Sequence, residues 1–438
     1  MVTKISKSTD AAESELPRKY DVVLYGASGF VGQQTVAYFA KLGNLKGSHG
    51  KPLRWALAGR SAKKLEAVKV ACGPGAKRGD IVVADAQDAK ALNSLARDAS
   101  VVLSTAGPFA LYGSELVAAC VANGTHYVDI TGETPWVFDM IRQHEAAAVK
   151  SGARIIPFCG FDSIPSDLGA WLVATTMQET YGEPCQSVKA SFSVRGGVNG
   201  GTLASMFNFL GTGQAKKLAE PFLLNPSKSE ARSVVGQQDP VTPVFDADFK
   251  AWLGPFFMGP INTRVVRRSA ALSTMASVTG RGKAKVNMGP YSSDFTYQEY
   301  MRFGAGPLAG AAAAAFCAGM FSSQQAMRIK PLRQLAGRLA PGPGTGPSEA
   351  SMDGGSFRCE LVGRSASGHV VRGRVSDQGD PGNRATTKMV CEAALCLALQ
   401  LDELPGGRAK GGFLTPATGL GAVLLNRLRD AGMTLEAT

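Results

Sequence analysis

A doubly wound parallel α/β sheet is the fold that the sequence predicts, on three observations. Short apolar runs alternate with helix-compatible runs from Asp21 onward, a glycine-rich turn follows the first apolar run, and later apolar runs end in small or acidic residues. Composition bounds the rest. Of 438 residues, 45% are apolar and 19% charged, which supplies core for up to about three domains. A charge-rich disordered chain, a coiled coil and a collagen are excluded. The eight cysteines lie in apolar contexts without CxxC spacing, so neither a zinc site nor a disulfide framework is expected and a reducing, cytoplasmic setting fits. Residues 1–19 mix charge and serine without an apolar run and are expected to form a disordered tail with no secretory signal.

Order is expected from Tyr20. Val22 to Tyr25 read as a strand, Gly26-Ala27-Ser28-Gly29-Phe30-Val31-Gly32 as a turn, and Gln33 to Leu42 as a helix. In such a turn Gly26 permits the bend, Gly29 the approach of a diphosphate to main-chain N–H groups, and Gly32 the packing of helix on sheet. The second strand, Arg54 to Ala58, ends in Gly59-Arg60-Ser61. An acidic residue there would grip a ribose 2′-hydroxyl, whereas Arg60, with Ser61 and Lys64, offers charge and donors to a 2′-phosphate. The pattern selects NADP(H) over NAD(H). Its plain alternative is a solvated Arg60 beside a purely structural turn.

The alternation continues. Ile81 to Ala84 ends in Asp85, suited to an adenine edge, and Val101 to Thr105 ends in Ala106-Gly107-Pro108, a small-residue turn suited to pass beneath a nicotinamide ribose. Tyr127 to Ile130 and Arg154 to Phe158 bring the strands to six, separated by helical segments at 63–70, 89–96, 113–123 and 136–151.

Several stretches together resemble the saccharopine dehydrogenase-like oxidoreductases, and within them the trans-acting enoyl reductase branch. They are Gly26 to Gly32, Ala58-Gly59-Arg60-Ser61, Gly107-Pro108-Phe109, residues 127–133, Cys159-Gly160-Phe161-Asp162-Ser163-Ile164-Pro165-Ser166-Asp167, residues 346–349 and residues 411–417. The resemblance runs from about residue 20 to the end and implies an NADP-binding Rossmann domain over 20–160. It also implies an inserted mixed α+β second domain over 161–385, for substrate or dimerisation, and a segment 386–438 that returns to the first domain. It further implies either an amino acid or imine as substrate, as in the saccharopine-type enzymes, or a double bond of a polyketide-derived lipid reduced in trans to a synthase.

The second half has its own pattern. Residues 249–348 hold twelve basic residues against two acidic ones, Asp294 and Glu299, so most of the formal charge of +12 is concentrated there. Anionic lipid, an acidic carrier and a plain solvated face are the readings of that excess. Residues 303–327 carry no charge and are rich in alanine. Pro307 and the closing Ser322-Ser323-Gln324-Gln325 disfavour a bilayer span, which leaves an ordinary packed helix or shallow lipid contact, the latter favoured by flanking Arg302, Arg328, Lys330 and Arg333. Residues 341–347 form a turn-rich connector. Phe357–Gly363 and His369–Val375 read as a hairpin, and Thr386–Leu401 as a buried helix with Cys391 and Cys396 as core thiols.

Reduction of an enoyl group needs a proton donor beside the hydride acceptor. Tyr112 is one candidate, with a half-buried helix-capping tyrosine as the alternative. Asp162 and Ser163, with Ser166, leave the sixth strand at its carboxyl end, where ligands bind in open parallel sheets; alternatively Ser163 or Ser166 caps the next helix. No GxSxG elbow supports a hydrolase. The expected function is hydride transfer from NADPH to an enoyl or related double bond of a hydrophobic substrate. An amino-acid or imine reductase and a non-catalytic, lipid-associated NADP-binding protein are the rivals. Peripheral membrane contact and homo-oligomerisation are further expected partner modes; no metal and no nucleic acid are expected.

Overall fold

The structure, a computed structural model, describes residues 18–47, 50–197, 199–200, 215–226, 236–278, 289–339, 342 and 344–438. The first sheet is built from Tyr20–Tyr25 (β1), Trp55–Gly59 (β2), Asp80–Val83 (β3), Ala99–Ser104 (β4), His126–Asp129 (β5), Arg154–Ile156 (β6) and Gly412–Phe413 (β13). Its order is β13-β6-β5-β4-β1-β2-β3, and every pairing is parallel. Strand β1 is buried at all six positions, as a strand covered on both faces must be. Its alternate residues enter two cores. Val22 and Leu24 pack with Val36 and Phe39 of the first helix, Phe30–Lys41 (α1), and with Leu65 of Ala62–Ala71 (α2). Val23 and Tyr25 pack with Leu92 and Leu95 of Ala89–Asp98 (α3) and Leu116 of Ser114–Ala122 (α5), which follows the short Phe109–Tyr112 (α4). Trp136, Val137 and Met140 of Thr134–Ser151 (α6) join that second core. The strand order reverses between β1 and β4, the place where a doubly wound sheet opens a ligand crevice at its carboxyl edge.

From β6 the chain enters Ile164–Tyr181 (α7), whose Leu168, Val173 and Met177 are fully buried. This helix packs on the second sheet, which comprises Cys185–Arg195 (β7), Val244–Asp246 (β8), Ala251–Pro255 (β9), Tyr291–Gly304 (β10), Ser356–Ser365 (β11), Val370–Gln378 (β12) and Thr434–Ala437 (β14). Its order is β14-β12-β11-β7-β10-β9-β8; β7 and β10 run parallel and the other pairs antiparallel. The remaining helices are Ala215–Leu218 (α8), Gly259–Val278 (α9), Pro307–Arg328 (α10), Lys330–Leu339 (α11), Glu349–Asp353 (α12), Thr386–Leu399 (α13), Pro416–Gly419 (α14) and Gly421–Asp430 (α15).

Four features differ from the reading of the sequence. Residues 1–17 of the expected tail lie outside the described residues, but Arg18 is anchored: its guanidinium donates to the carbonyls of Ala96 (3.1 Å), Ala99 (3.1 Å) and Asn123 (2.6 Å) and to Thr125 Oγ1 (2.7 Å). The parallel sheet has a seventh strand, β13. Segment 386–438 divides between the sheets: α13 lies against α1, β1, β4 and β5 and β13 pairs with β6, but β14 pairs with β12. The basic region is not one solvated face. Arg264, Arg267 and Arg268 of α9 are buried, and their guanidinium groups donate to main-chain carbonyls of Leu218, Pro221, Leu224, Tyr297 and Phe413. Burial lowers Arg267 and Arg268 to about 10, which still leaves them charged at neutral pH. Arg281, Lys283 and Lys285 of that region, and Pro341 and Pro343 of the connector, lie outside the described residues.

Candidate active site

The turn after β1 is a tight main-chain cradle. Gly26 has φ +82°, and a Cβ there would lie 2.9 Å from the Ala106 nitrogen. At Gly32 a Cβ would lie 2.1 Å from the Gly26 carbonyl oxygen and 2.9 Å from Ala27 Cα. Both contacts are with backbone, so no side-chain rotation relieves them. Gly26 and Ala27 donate to the Ala58 carbonyl at 3.0 and 3.2 Å, pinning the turn to the end of β2. Helix α1 begins at Phe30 with Gly29 in the N-cap place, without a side-chain cap and without an acidic residue in its first turn. The N–H groups at Phe30, Val31 and Gly32 therefore form an uncapped helix start suited to a diphosphate. Ser28 and Ala27 complete the loop. This cradle fits a dinucleotide.

Arg60 is exposed one residue beyond β2, and Asp85 is exposed beyond β3. Both act electrostatically on Tyr25, whose hydroxyl is raised to about 12, first by burial, then by Asp85, with Arg60 opposing. The two charged groups therefore lie on the same edge. Ser61 is the N-cap of α2 and accepts from Lys64 N–H at 3.4 Å; its own O–H remains a donor. Thr105 donates its hydroxyl toward the carbonyls of Tyr25 (3.3 Å) and Gly26 (3.4 Å), joining the β1 and β4 ends. Ala106, Gly107 and Pro108 follow, and α4 starts at Phe109. The N–H groups of Phe109 and Ala110 are held by the Glu133 carboxylate at 2.8 and 2.9 Å. Glu133, noted in the sequence only as part of a longer stretch, thus fixes the turn assigned to the nicotinamide side. Tyr112, at the end of α4, is 37% exposed, and its main-chain N–H bonds Pro108.

The β5 and β6 ends are joined by Asp129. Its Oδ1 accepts from Thr131 N–H (3.0 Å) and Phe158 N–H (3.2 Å), and its other oxygen from Tyr127 OH (2.9 Å). Phe158 has φ +66°, a conformation that costs a non-glycine residue about 1–3 kcal/mol and needs surrounding structure to hold it. Three residues on, Phe161 packs its ring on Phe357 at 5.0 Å and Phe192 at 6.1 Å, and its N–H donates to Thr386 Oγ1 at 3.0 Å. The backbone leading into Asp162 and Ser163 is thereby fixed.

Asp162 is half-buried against apolar atoms. A Cβ on Gly132 would meet Ile261 Cδ1 at 3.3 Å, Asp162 Oδ2 at 3.7 Å and Met258 Cε at 4.0 Å, which places these three groups together. Burial raises the Asp162 carboxyl to about 7, the range in which a carboxyl carries a proton near neutrality. Ser163 holds the N-cap place of α7, but neither its hydroxyl nor that of Ser166 caps the helix. The buried Ser163 hydroxyl donates to Asn262 Oδ1 (3.0 Å), Asn262 Nδ2 donates to Glu299 Oε1 (2.8 Å), and Glu299 Oε2 accepts from Ser166 (2.7 Å) and Tyr297 (2.9 Å). Asp167, in the first turn of α7, accepts from the Ser269 hydroxyl and, at 2.8 Å, from Ala417 N–H. Asn262 and Glu299 belong to α9 and β10, distant in sequence from Ser163, so the local pattern that suggests capping contains no sign of them.

This network predicts a stability effect. Burial raises Glu299 to about 7 against an ordinary value of 4.5. Between those limits it binds more protons folded than unfolded, so its contribution is full below about 4.5 and is lost as pH rises through about 7. Glu299→Leu strands three buried donors and is expected to lower unfolding free energy by about 2–5 kcal/mol. Glu299→Gln, accommodated by an amide flip of Asn262, is expected to be tolerated and to flatten the pH dependence of stability in that window. Denaturant titrations at pH 5 and pH 8, the lower and upper sides of about 7, read both effects.

The second domain also reaches the cradle. A Cβ on Gly346 would come within 2.3 Å of the Phe30 ring, and Arg384, paired with Glu349 and Asp353, donates to Gln34 Oε1 of α1 at 3.1 Å. Residues 345–349 therefore strap the start of α1. A hollow of about 370 Å³ opens at the end of β7 and the start of β11, lined by Ser193, Arg195, Arg358, Arg374 and Phe357 among others. Its lining mixes polar and apolar surface, where the groups around Asp162 are apolar.

A main-chain cradle at the switch point of a 3-2-1-4-5-6 sheet, with a basic residue just past the second strand and a carboxyl raised by burial past the sixth, defines a dinucleotide-dependent oxidoreductase. The family model of the saccharopine dehydrogenase NADP-binding domain matches residues 22–156. A Mycobacterium tuberculosis relative is 36% identical over 96% of this chain and 98% of its own. Trans-acting enoyl reductases of Mycobacterium bovis and Mycobacterium ulcerans are 34% and 35% identical, each over 97% of this chain and 99% of theirs. The apo saccharopine dehydrogenase (L-Glu forming) of Saccharomyces cerevisiae aligns over 95% of this chain and 99% of its own, with a TM-score of 0.48 and 15% identity. The chain belongs to the saccharopine dehydrogenase-like oxidoreductases, in the trans-acting enoyl reductase branch.

Proposed function

We propose that the protein reduces a carbon–carbon double bond conjugated to a carbonyl, in a hydrophobic acyl substrate, with NADPH as reductant. The observation that carries this reading is the placement of the Asp162 carboxyl among Met258, Ile261 and Gly132 past the carboxyl end of the sixth strand, where burial raises it to about 7. The relatives named as trans-acting enoyl reductases support it. NADPH, when bound, supplies the hydride to one carbon of the double bond. The main chain from Gly26 to Gly32 holds the diphosphate, Arg60 with Ser61 and Lys64 the 2′-phosphate, and Asp85 the adenine edge. The Thr105 to Pro108 turn supports the nicotinamide ribose. Asp162 gives its proton to the neighbouring carbon, and Ser163, oriented by Asn262, lines the same loop. An amino-acid substrate is less well served, because Arg264, Arg267 and Arg268, on the helix that carries Ile261, are committed to main-chain carbonyls.

The test is Arg60→Ala. Loss of one charge-assisted contact, about 1.5–3 kcal/mol, is expected to weaken NADPH about 10- to 100-fold and to leave NADH binding nearly unchanged. Fluorescence titration with both nucleotides measures this, and NADPH oxidation with enoyl thioesters measures the reaction. Equal losses for both nucleotides overturn the assignment of Arg60. Turnover confined to pairs of a 2-oxo acid and an amine overturns the enoyl reading.

A further inference from the structure

Helix α10 packs on the second sheet by one side only. Gly310 lies against the Trp252 ring, where a Cβ would come within 2.8 Å, Phe316 meets Phe303 at 5.3 Å between ring centroids, and Ala313 is the buried residue of the helix. The opposite side is exposed and uncharged through Ala311, Ala312, Ala314, Ala315 and Ala318, positions three and four apart that share a face. Large apolar side chains stand out at both ends and continue into α11: Leu308 is 86% exposed, Phe321 64%, Ile329 53%, Leu332 44% and Leu335 54%. Between Pro307 and Leu339 there is no acidic residue, while Arg328, Lys330 and Arg338 are exposed beside the apolar side chains.

We propose that this outer face of α10 and α11 docks on an anionic lipid membrane, lying in its interface. An apolar side bordered by cations is the composition of an interfacial helix, whose long basic side chains reach the headgroups while the apolar ones enter the acyl boundary. No described helix is long and apolar enough to cross a membrane. A second copy of the chain fits less well, because it would bring the same cations against these. An acidic protein would pair with the cations near the α10–α11 junction but leave Leu308 uncovered, since the 22 residues of α10 extend about 33 Å at the usual helical rise. A flat anionic surface covers both ends. The inference is independent of the redox reading.

Flotation of the full chain with vesicles of phosphatidylcholine alone, or with about one-third phosphatidylglycerol, tests it. The chain is expected to float at least tenfold more with the anionic vesicles, and less as salt rises. Leu332→Asp with Leu335→Asp is expected to lose at least tenfold. Arg328→Gln with Lys330→Gln and Arg338→Gln is expected to lose about 100-fold, from roughly fivefold per charge. NADPH affinity, which none of these residues touches, serves as the folding control for both variants. The comparison of the two vesicle types needs no variant. Absence of flotation, equal flotation with both vesicles, flotation indifferent to correctly folded variants, or capture by an acidic carrier protein without vesicle binding each overturn the proposal.

Discussion

Gly32→Ala is expected to abolish measurable NADPH binding while the protein still folds. The added Cβ would sit 2.1 Å from the Gly26 carbonyl oxygen and 2.9 Å from Ala27 Cα, so α1 must move off the turn. Overpacking of this kind costs about 1–3 kcal/mol, within the roughly 5–15 kcal/mol stability of a typical domain. Binding suffers more, because the N–H groups of Phe30 and Val31 and the uncapped start of α1 shift together, and two lost charge-assisted bonds amount to about 3–6 kcal/mol. A fall in affinity of at least about 100-fold follows. Nucleotide fluorescence titration beside far-ultraviolet circular dichroism separates the two effects. A folded variant that keeps ordinary affinity would show that the diphosphate does not rest on this turn.

The features legible in the sequence are those whose cause is local. A glycine every third residue after an apolar run produces the cradle whatever lies elsewhere, and Arg60 at the end of β2 needs only the strand before it. The hairpin of β11 and β12 is likewise visible in its alternation. Features with distant partners were not legible. Strand β13 is two residues, Gly412 and Phe413, and is a strand only because it meets Arg154 and Ile155. Ser163 and Ser166 have the composition of a helix cap, but Asn262 and Glu299 take their hydroxyls. The charges of Arg264, Arg267 and Arg268 suggest a surface, yet each reaches a carbonyl inside. The Ala-rich run has the length and composition of a packed helix, and only its one-sided packing on β9 and β10 decides that most of α10 stays uncovered.

Asp162→Asn is expected to lower kcat by about 100- to 10,000-fold, the range for loss of a positioned general acid, with NADPH affinity unchanged. Asparagine keeps the shape and removes the transferable proton. The pH profile supplies a second, independent check. With its carboxyl raised to about 7 by burial, Asp162 is protonated below that pH and charged above it, so turnover that needs its proton is level on the acid side and falls as pH rises through about 7. The variant is expected to lose that limb and show a flat, low rate. Met258 and Ile261 set the position of the limb, because they exclude the water that would stabilise the carboxylate. Ile261→Asn is therefore expected to admit polarity, bring the Asp162 carboxyl down and shift the fall to lower pH. A profile whose fall stays near 7 in Asp162→Asn would assign the proton to another group.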